Sequence, residues 1–375
     1  MFRATLFCLF VIGLCGAAAG CESDTPPTDY PLDGVTVFVG FDEPICGGTF
    51  DWIEARLRWL AAETGLPASE SPILFYWLRG ETYDRCPPNA GGCTFENRIY
   101  SPLEVFSHEL VHAHLSRLGS PRPWLAEGMA RMLEDSRWSL PEYITTPSSL
   151  VEVSKPQQLN YVPAASFVRY LRDRFGMPAL IELYAALDGV DAQGTPDVFL
   201  AVLGVDWDDV ESGYFVTYSH DAVGSINCDF PVLVPEADTW TFPVDSPCDD
   251  GATIGPFLGW FDSDTPSTER AATLEIEEAD IYTVSVRSSA NVSVYVLDCD
   301  EPGEYFSAYG MQRTEEIELL PGRKRIQIVT DIPDAAGGEV RLRRGPAATP
   351  VAPGAPHTPG LRRHGRAWRD RADPS

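Results

Sequence analysis

Histidine is scarce in this chain, six in 375 residues, yet three of the six fall within the short stretch "SHELVHAH" at 107–114. Positive charge is scarce too. Against 55 Asp and Glu stand 28 Lys and Arg, a formal net charge of −27. That balance excludes a nucleic-acid partner, which needs clustered positive charge to meet phosphates. Solubility and self-repulsion account for the acidity. Long apolar runs are equally few. "ATLFCLFVIGLCGAAAGC" at 4–21, behind Met1, Phe2 and Arg3, is short for a membrane span. A charged start, an apolar run and small residues make residues 1–20 a secretory signal peptide. No internal repeat long enough for a solenoid is present. What is plentiful is core material: 44% hydrophobic and 11% aromatic residues suffice for two globular domains.

The residues "AAGC" at 18–21 resemble the lipobox of bacterial lipoproteins, which implies a lipidated Cys21 as the new N-terminus. The acidic, proline-containing segment that follows reads as a flexible tether over 21–33. The expectation is a chain of the cell envelope, lipid-anchored to a bacterial membrane and facing periplasm or exterior, with secretion as the alternative. Beyond Cys21, six cysteines remain: Cys46, Cys86, Cys93, Cys228, Cys248 and Cys299. An even number in an exported chain points to disulfides without choosing their partners. The working set is Cys86 with Cys93, Cys248 with Cys299, and Cys46 with Cys228. At the other end, 346–375 is rich in proline and glycine and carries Arg362, Arg363, Arg366, Arg369 and Arg371. It reads as a disordered basic tail.

Between these ends the pattern predicts an α+β domain at 34–228, a small mixed sheet plus helices, followed by an all-β sandwich at 229–345. "GVTVFVG" (34–40), "PILFYWL" (72–78) and "FENRIYSP" (95–102) are strand-like. Helices are expected at 50–65, closing on Gly65, and at 102–118, 123–136, 163–175, 177–187 and 195–218 with a break near Gly204. After Cys228, Tyr282, Val284 and Val286, then Val292, Val294 and Val296, alternate with polar residues. That is the two-residue period of half-buried strands.

Ser101, Pro102 and Glu104 predict a capped helix start, with Gly119 and Pro121 as the stop. Within it His108 and His112 stand four positions apart, on one face and about one turn apart, near enough for both rings to ligate one zinc ion. Glu109 sits beside them to take a proton from water. A catalytic zinc needs a third protein ligand. Leu118 stands where a third histidine of the metzincin spacing would be. Glu127, in "PRPWLAEGMARMLED", is the better placed candidate, with Glu134 and Asp135 poorer ones about two turns on. His114 is turned off the metal face, a surface group or one that supports a ligand from behind.

"HELVHAH", "PRPWLAEGMA" and "YVPAASFVRYLRDRFGMPALIELY" together resemble the peptidase-MA-like gluzincin zinc metallopeptidases, over roughly residues 90–220. The resemblance implies a zincin-like fold, Zn2+ on His108, His112 and Glu127, and Glu109 as general base in hydrolysis of a peptide or protein substrate. Arg131 departs from the pattern of thermolysin-like relatives, which carry an aspartate there to steady a ligating histidine. Whatever orients His108 must come from elsewhere. Tyr161 is the first candidate to donate a hydrogen bond to the developing oxyanion, with Tyr218 and His220 behind it. The strand "ENRIY" could serve as the edge along which an extended substrate pairs, and Arg98 on it could meet a substrate carboxylate. The C-terminal segments "YTVSVRSSANVSVYVLDC" and "LLPGRKRIQI" resemble pre-peptidase C-terminal domains, which implies attachment or substrate holding. Asp249, Asp250, Asp262 and Asp264 match no calcium loop. The alternative to a peptidase is a catalytically silent surface binding protein that keeps the fold.

Overall fold

Val35, Val37 and Val39 alternate with outward residues, as do Ile73, Phe75 and Trp77, and each set lies buried on one face of a sheet. The computed structural model describes residues 28–345 apart from 80–84, 89, 137, 140–144, 218–221, 246, 259–265, 300–305 and 331–336. The segments expected to be a signal peptide (1–20) and a basic tail (346–375), together with Cys21, Tyr218, His220, Asp262 and Asp264, lie outside the described residues.

The first sheet joins β1 (Thr28–Pro31), β2 (Val35–Val39), β3 (Ile73–Trp77), β4 (Cys93–Phe95) and β5 (Arg98–Ser101) in the order β1-β2-β3-β5-β4. The inner strands β2, β3 and β5 are parallel, and the two edges β1 and β4 run antiparallel to their neighbours. The mixed sheet expected from the sequence is therefore present. One part of the tether expectation is corrected: Thr28–Pro31 is a paired edge strand, because Tyr30 turns inward and packs on Phe50 at 4.7 Å between ring centroids. A second correction concerns "ENRIY". Its strand β5 is interior, and the edge belongs to β4.

Helices cover one face of this sheet. α1 (Thr49–Thr64) connects β2 to β3 and ends on Gly65, whose φ of 68° suits a residue without a Cβ. α2 (Phe106–Leu115) follows β5, and α3 (Pro123–Leu133) packs on it. β6 (Trp138–Ser139) comes next, then α4 (Pro147–Glu152), α5 (Tyr161–Phe175), α6 (Met177–Ala186), α7 (Thr195–Leu203) and α8 (Trp207–Thr217). β7 (Ala222–Val223) returns to pair with β6. The capping box expected at Ser101 does not form. Ser101 ends β5 with its hydroxyl buried and unbonded, and 3-10 turns at 103–105 and 116–118 flank α2. Pairing with β3 holds Ser101 in the sheet, and so its side chain is withheld from the helix.

The second region is all β: β8 (Thr239–Pro243), β9 (Thr253–Phe257), β10 (Ser267–Ile276), β11 (Asp280–Asp298), β12 (Phe306–Leu319), β13 (Gly322–Thr330) and β14 (Glu339–Arg344). β11 serves two layers. Its residues 280–287 pair with β14 while 292–298 pair with β13, and β12 follows it along both halves. Tyr282, Val284 and Val286 from one half share a core with Val292, Val294 and Val296 from the other, so the layers face each other in a sandwich-like arrangement.

The two regions share a joint. Ile254 and Phe257 of β9 belong to the first core. Thr49 exchanges hydrogen bonds with Gly255, donating to its carbonyl at 2.8 Å and accepting from its N–H at 3.0 Å. Among the described residues three disulfides are formed: Cys86–Cys93 as expected, and Cys46–Cys248 and Cys228–Cys299 where the sequence suggested Cys46 with Cys228 and Cys248 with Cys299. The loop before α1 lies against the loop before β9, with Gly47 N–H on the Cys248 carbonyl at 2.7 Å, and this brings Cys46 to Cys248. These bridges suggest an extracytoplasmic location. Among the described residues no helix is long and apolar enough to cross a membrane.

Candidate metal centre

α2 places His108 and His112 on one face, and α3 lays Glu127 against them. His108 Nε2 is 3.2 Å from His112 Nε2 and 3.1 Å from Glu127 Oε2, and the third edge, His112 Nε2 to Glu127 Oε2, is 3.3 Å. Three donors bound tetrahedrally at about 2.0–2.1 Å from a zinc ion stand about 3.3–3.4 Å apart. The donor triangle therefore fits the group expected from the sequence, in chemistry and in size.

Behind His108 stands a residue considered from sequence only as a poorer ligand. Glu134, the cap of α3, lies with Oε2 2.7 Å from His108 Nδ1. In the form with Nε2 deprotonated, a proton on Nδ1 donated to this carboxylate leaves the Nε2 lone pair aimed at the triangle. Glu134 is seven residues beyond Glu127, two helical turns, so both project to the same side of α3. Arg131 does not itself hold the histidine; its Nη1 donates to Glu134 Oε1 at 2.6 Å, and its guanidinium lies 5.6 Å from the centroid of the Tyr161 ring.

The electrostatics follow from burial and these partners. Burial opposes the charged form of His108, but hydrogen bonds to Glu127 and Glu134 outweigh it and raise its pKa to about 10. Burial likewise opposes the charge on Glu134, and the His108 hydrogen bond and Arg131 overcome it, lowering its pKa to about 2. Glu127 is pushed below the usual carboxylate range, since the two imidazoles outweigh its desolvation. The centre thus holds its carboxylates ionised.

Glu109 is buried and separately held. Thr94 on β4 shares the face of Ile99, opposite it in the pairing, and donates to Glu109 Oε2 at 2.8 Å. Gly92 leaves the space that Glu109 occupies: a Cβ there would sit 3.0 Å from Glu109 Cγ and 2.8 Å from Ser101 Cβ. Tyr161 opens α5 with its ring nearly parallel to that of His108, 6.0 Å between centroids. Burial and then the charge of Glu127 raise its pKa, so the phenol stays protonated. Gly128 lets α5 approach α3 this closely, since a Cβ would lie 2.6 Å from Val168 Cγ2 and 3.0 Å from the Ala164 carbonyl.

Other expected residues fall elsewhere. His114 is buried, not at the surface, and its Nε2 hydrogen-bonds the Thr64 hydroxyl at 2.9 Å on the α1 side. Arg98 points to the sheet face away from α2, alternating with the buried Ile99, and is not brought to the triangle. Asp250 pairs with Arg270 at 2.8 Å. Thr94, Gly92 and Tyr184, whose phenol is raised by burial and by Glu127, were missed. Only Gly92, in the glycine pair before Cys93, left a local trace.

No protein-family model matches the chain, and no curated protein matches it in sequence. Among solved structures, the pre-peptidase C-terminal domain of a collagenase from Bacillus anthracis is similar at 14% identity and a TM-score of 0.20. That likeness covers 31% of this chain and 97% of the domain. A GH26-CBM35 β-(1,4)-mannanase from Podospora anserina is similar at 15% identity and a TM-score of 0.18, over 32% of this chain and 30% of its own. At such scores the chain's own geometry has to carry any reading of function.

Proposed function

We propose that this chain is a zinc-dependent metallopeptidase of the gluzincin type, with His108, His112 and Glu127 as metal ligands and Glu109 as general base. The observation that carries the reading is the donor triangle, whose three edges match a tetrahedral zinc face. When bound, zinc supplies Lewis acidity that makes a water more acidic and a carbonyl more electrophilic. Glu109, fixed by Thr94, accepts the proton of the attacking water and delivers it to the departing amine. The protonated Tyr161 hydroxyl donates a hydrogen bond where negative charge develops on the former carbonyl oxygen. Glu134 keeps His108 in the tautomer and orientation that ligation needs. The exposed edge β4, one residue of which holds Glu109, offers backbone groups to an extended peptide. An envelope location, through a lipidated Cys21 or by secretion, accords with the three disulfides. The test is metal content: the purified chain should carry one zinc ion, and Glu127→Gln should lose it while remaining folded. A wild-type chain that takes up no zinc when supplied with it would reject the reading.

A further inference from the structure

We infer that Arg325, on β13 of the sandwich, is a positioning residue for the metal centre, acting through Asp135 and its chain neighbour Glu134. This rests on the metal-centre reading above. At the end of α3 two consecutive acids diverge. Glu134 turns to His108, and Asp135 turns to the sandwich, where its Oδ1 accepts from Arg325 Nη1 at 2.7 Å and from Asn227 N–H at 2.8 Å. The Arg325 and Asp135 side chains are only 4% and 5% exposed, so water cannot replace either partner. Arg325 is itself fixed: Nη2 donates to Gln327 Oε1 at 2.6 Å, Nη1 also reaches the Asn227 carbonyl at 3.3 Å, and its guanidinium lies 5.4 Å from the Phe230 ring centroid.

The last turn of α3 is held on two further sides. Arg56 of α1 donates to the Leu133 carbonyl at 2.9 Å, and Ser225 donates to the Met132 carbonyl at 2.7 Å. The segment that carries Ser225 and Asn227 is then fastened to the sandwich by Cys228–Cys299. Removing one partner of a buried ion pair leaves the other charge uncompensated, so the element bearing it moves to find water or a new partner. Asp135 cannot move without its neighbour Glu134, and Glu134 sets the His108 ring. The C-terminal region is thus part of the support of the metal site as well as a neighbour to it.

Zinc affinity of the full chain, measured by competition with a chromophoric chelator, tests this, with Glu134→Gln as comparator. Loss of an outer carboxylate costs about 10–100-fold in metal affinity. Arg325→Met should weaken zinc binding by about tenfold, and the double variant should bind no more weakly than Glu134→Gln alone, because the two act in series. Thr49→Val, which breaks the joint at β9 and leaves α3 untouched, should lower the melting temperature without changing zinc affinity. Asp135→Asn gives the same decision should Arg325→Met not fold, with a similar loss expected. Wild-type affinity in the Arg325 or Asp135 variant, or additive losses in the double variant, would overturn the inference while leaving the zinc reading in place. A wild-type chain without zinc would remove both.

Discussion

Tyr161 is the residue whose proposed role differs most from its appearance. Its half-buried ring lies parallel to His108 and beneath Arg131, as a packing aromatic would. Yet burial and Glu127 keep its hydroxyl protonated, which is what an oxyanion donor requires. Tyr161→Phe keeps the ring and removes the donor. It should lower kcat by about 10²–10³-fold, the range found on deleting one oxyanion-hole donor, with KM and zinc content little changed. An unchanged kcat would assign the tyrosine to packing alone.

Among the elements, α3 carries the most chemistry in the fewest residues: Glu127 faces the triangle, Glu134 holds His108, and Gly128 lets α5 approach. Gly128→Ala places a methyl 2.6 Å from Val168 Cγ2 and 3.0 Å from a backbone carbonyl. The overpacking should cost about 1–3 kcal/mol, read as a lower melting temperature, and a variant as stable as wild type would show that the two helices are not in close contact. Much of this element could be read in advance. The spacing of His108 and His112 puts both on one face, because helix periodicity is local, whereas Glu127, on a different helix, is indicated through the resemblance to gluzincins. The start of α2 could not be read, since Ser101 is a good cap by type but is held in β5 by pairing with β3. The partner of His108 was hidden for a similar reason. Glu134 lies on the right side of α3, but only the crossing of α2 and α3 reveals which histidine nitrogen it meets. Disulfide partners likewise depend on loops distant in sequence, so Cys46–Cys248 and Cys228–Cys299 were exchanged while the local Cys86–Cys93 was not.

At the scale of the whole molecule, the α+β region and the sandwich meet across buried charge: Arg56, Asp135, Arg325 and Glu269. Burial pushes the Glu269 carboxyl up to about 7, against the opposing pull of Arg325. Its folded pKa lies above its unfolded value, so between about pH 4.5 and 7 the folded chain binds more protons and stability falls as pH rises. Glu269→Gln removes this penalty. Compared with wild type it should be equally stable near pH 4 and more stable by about 3 kcal/mol at pH 8, as read by denaturant unfolding; a difference independent of pH would show that the carboxyl is ionised in the fold. The claim on which the functional account turns is that Glu109 moves the proton while the ligands hold the metal. Its most direct test is the cleavage of a mixed peptide library by zinc-loaded wild type and Glu109→Gln side by side. The account predicts equal zinc content with cleavage lowered by about 10²–10⁴-fold in the variant, and equal cleavage by the two proteins would contradict it.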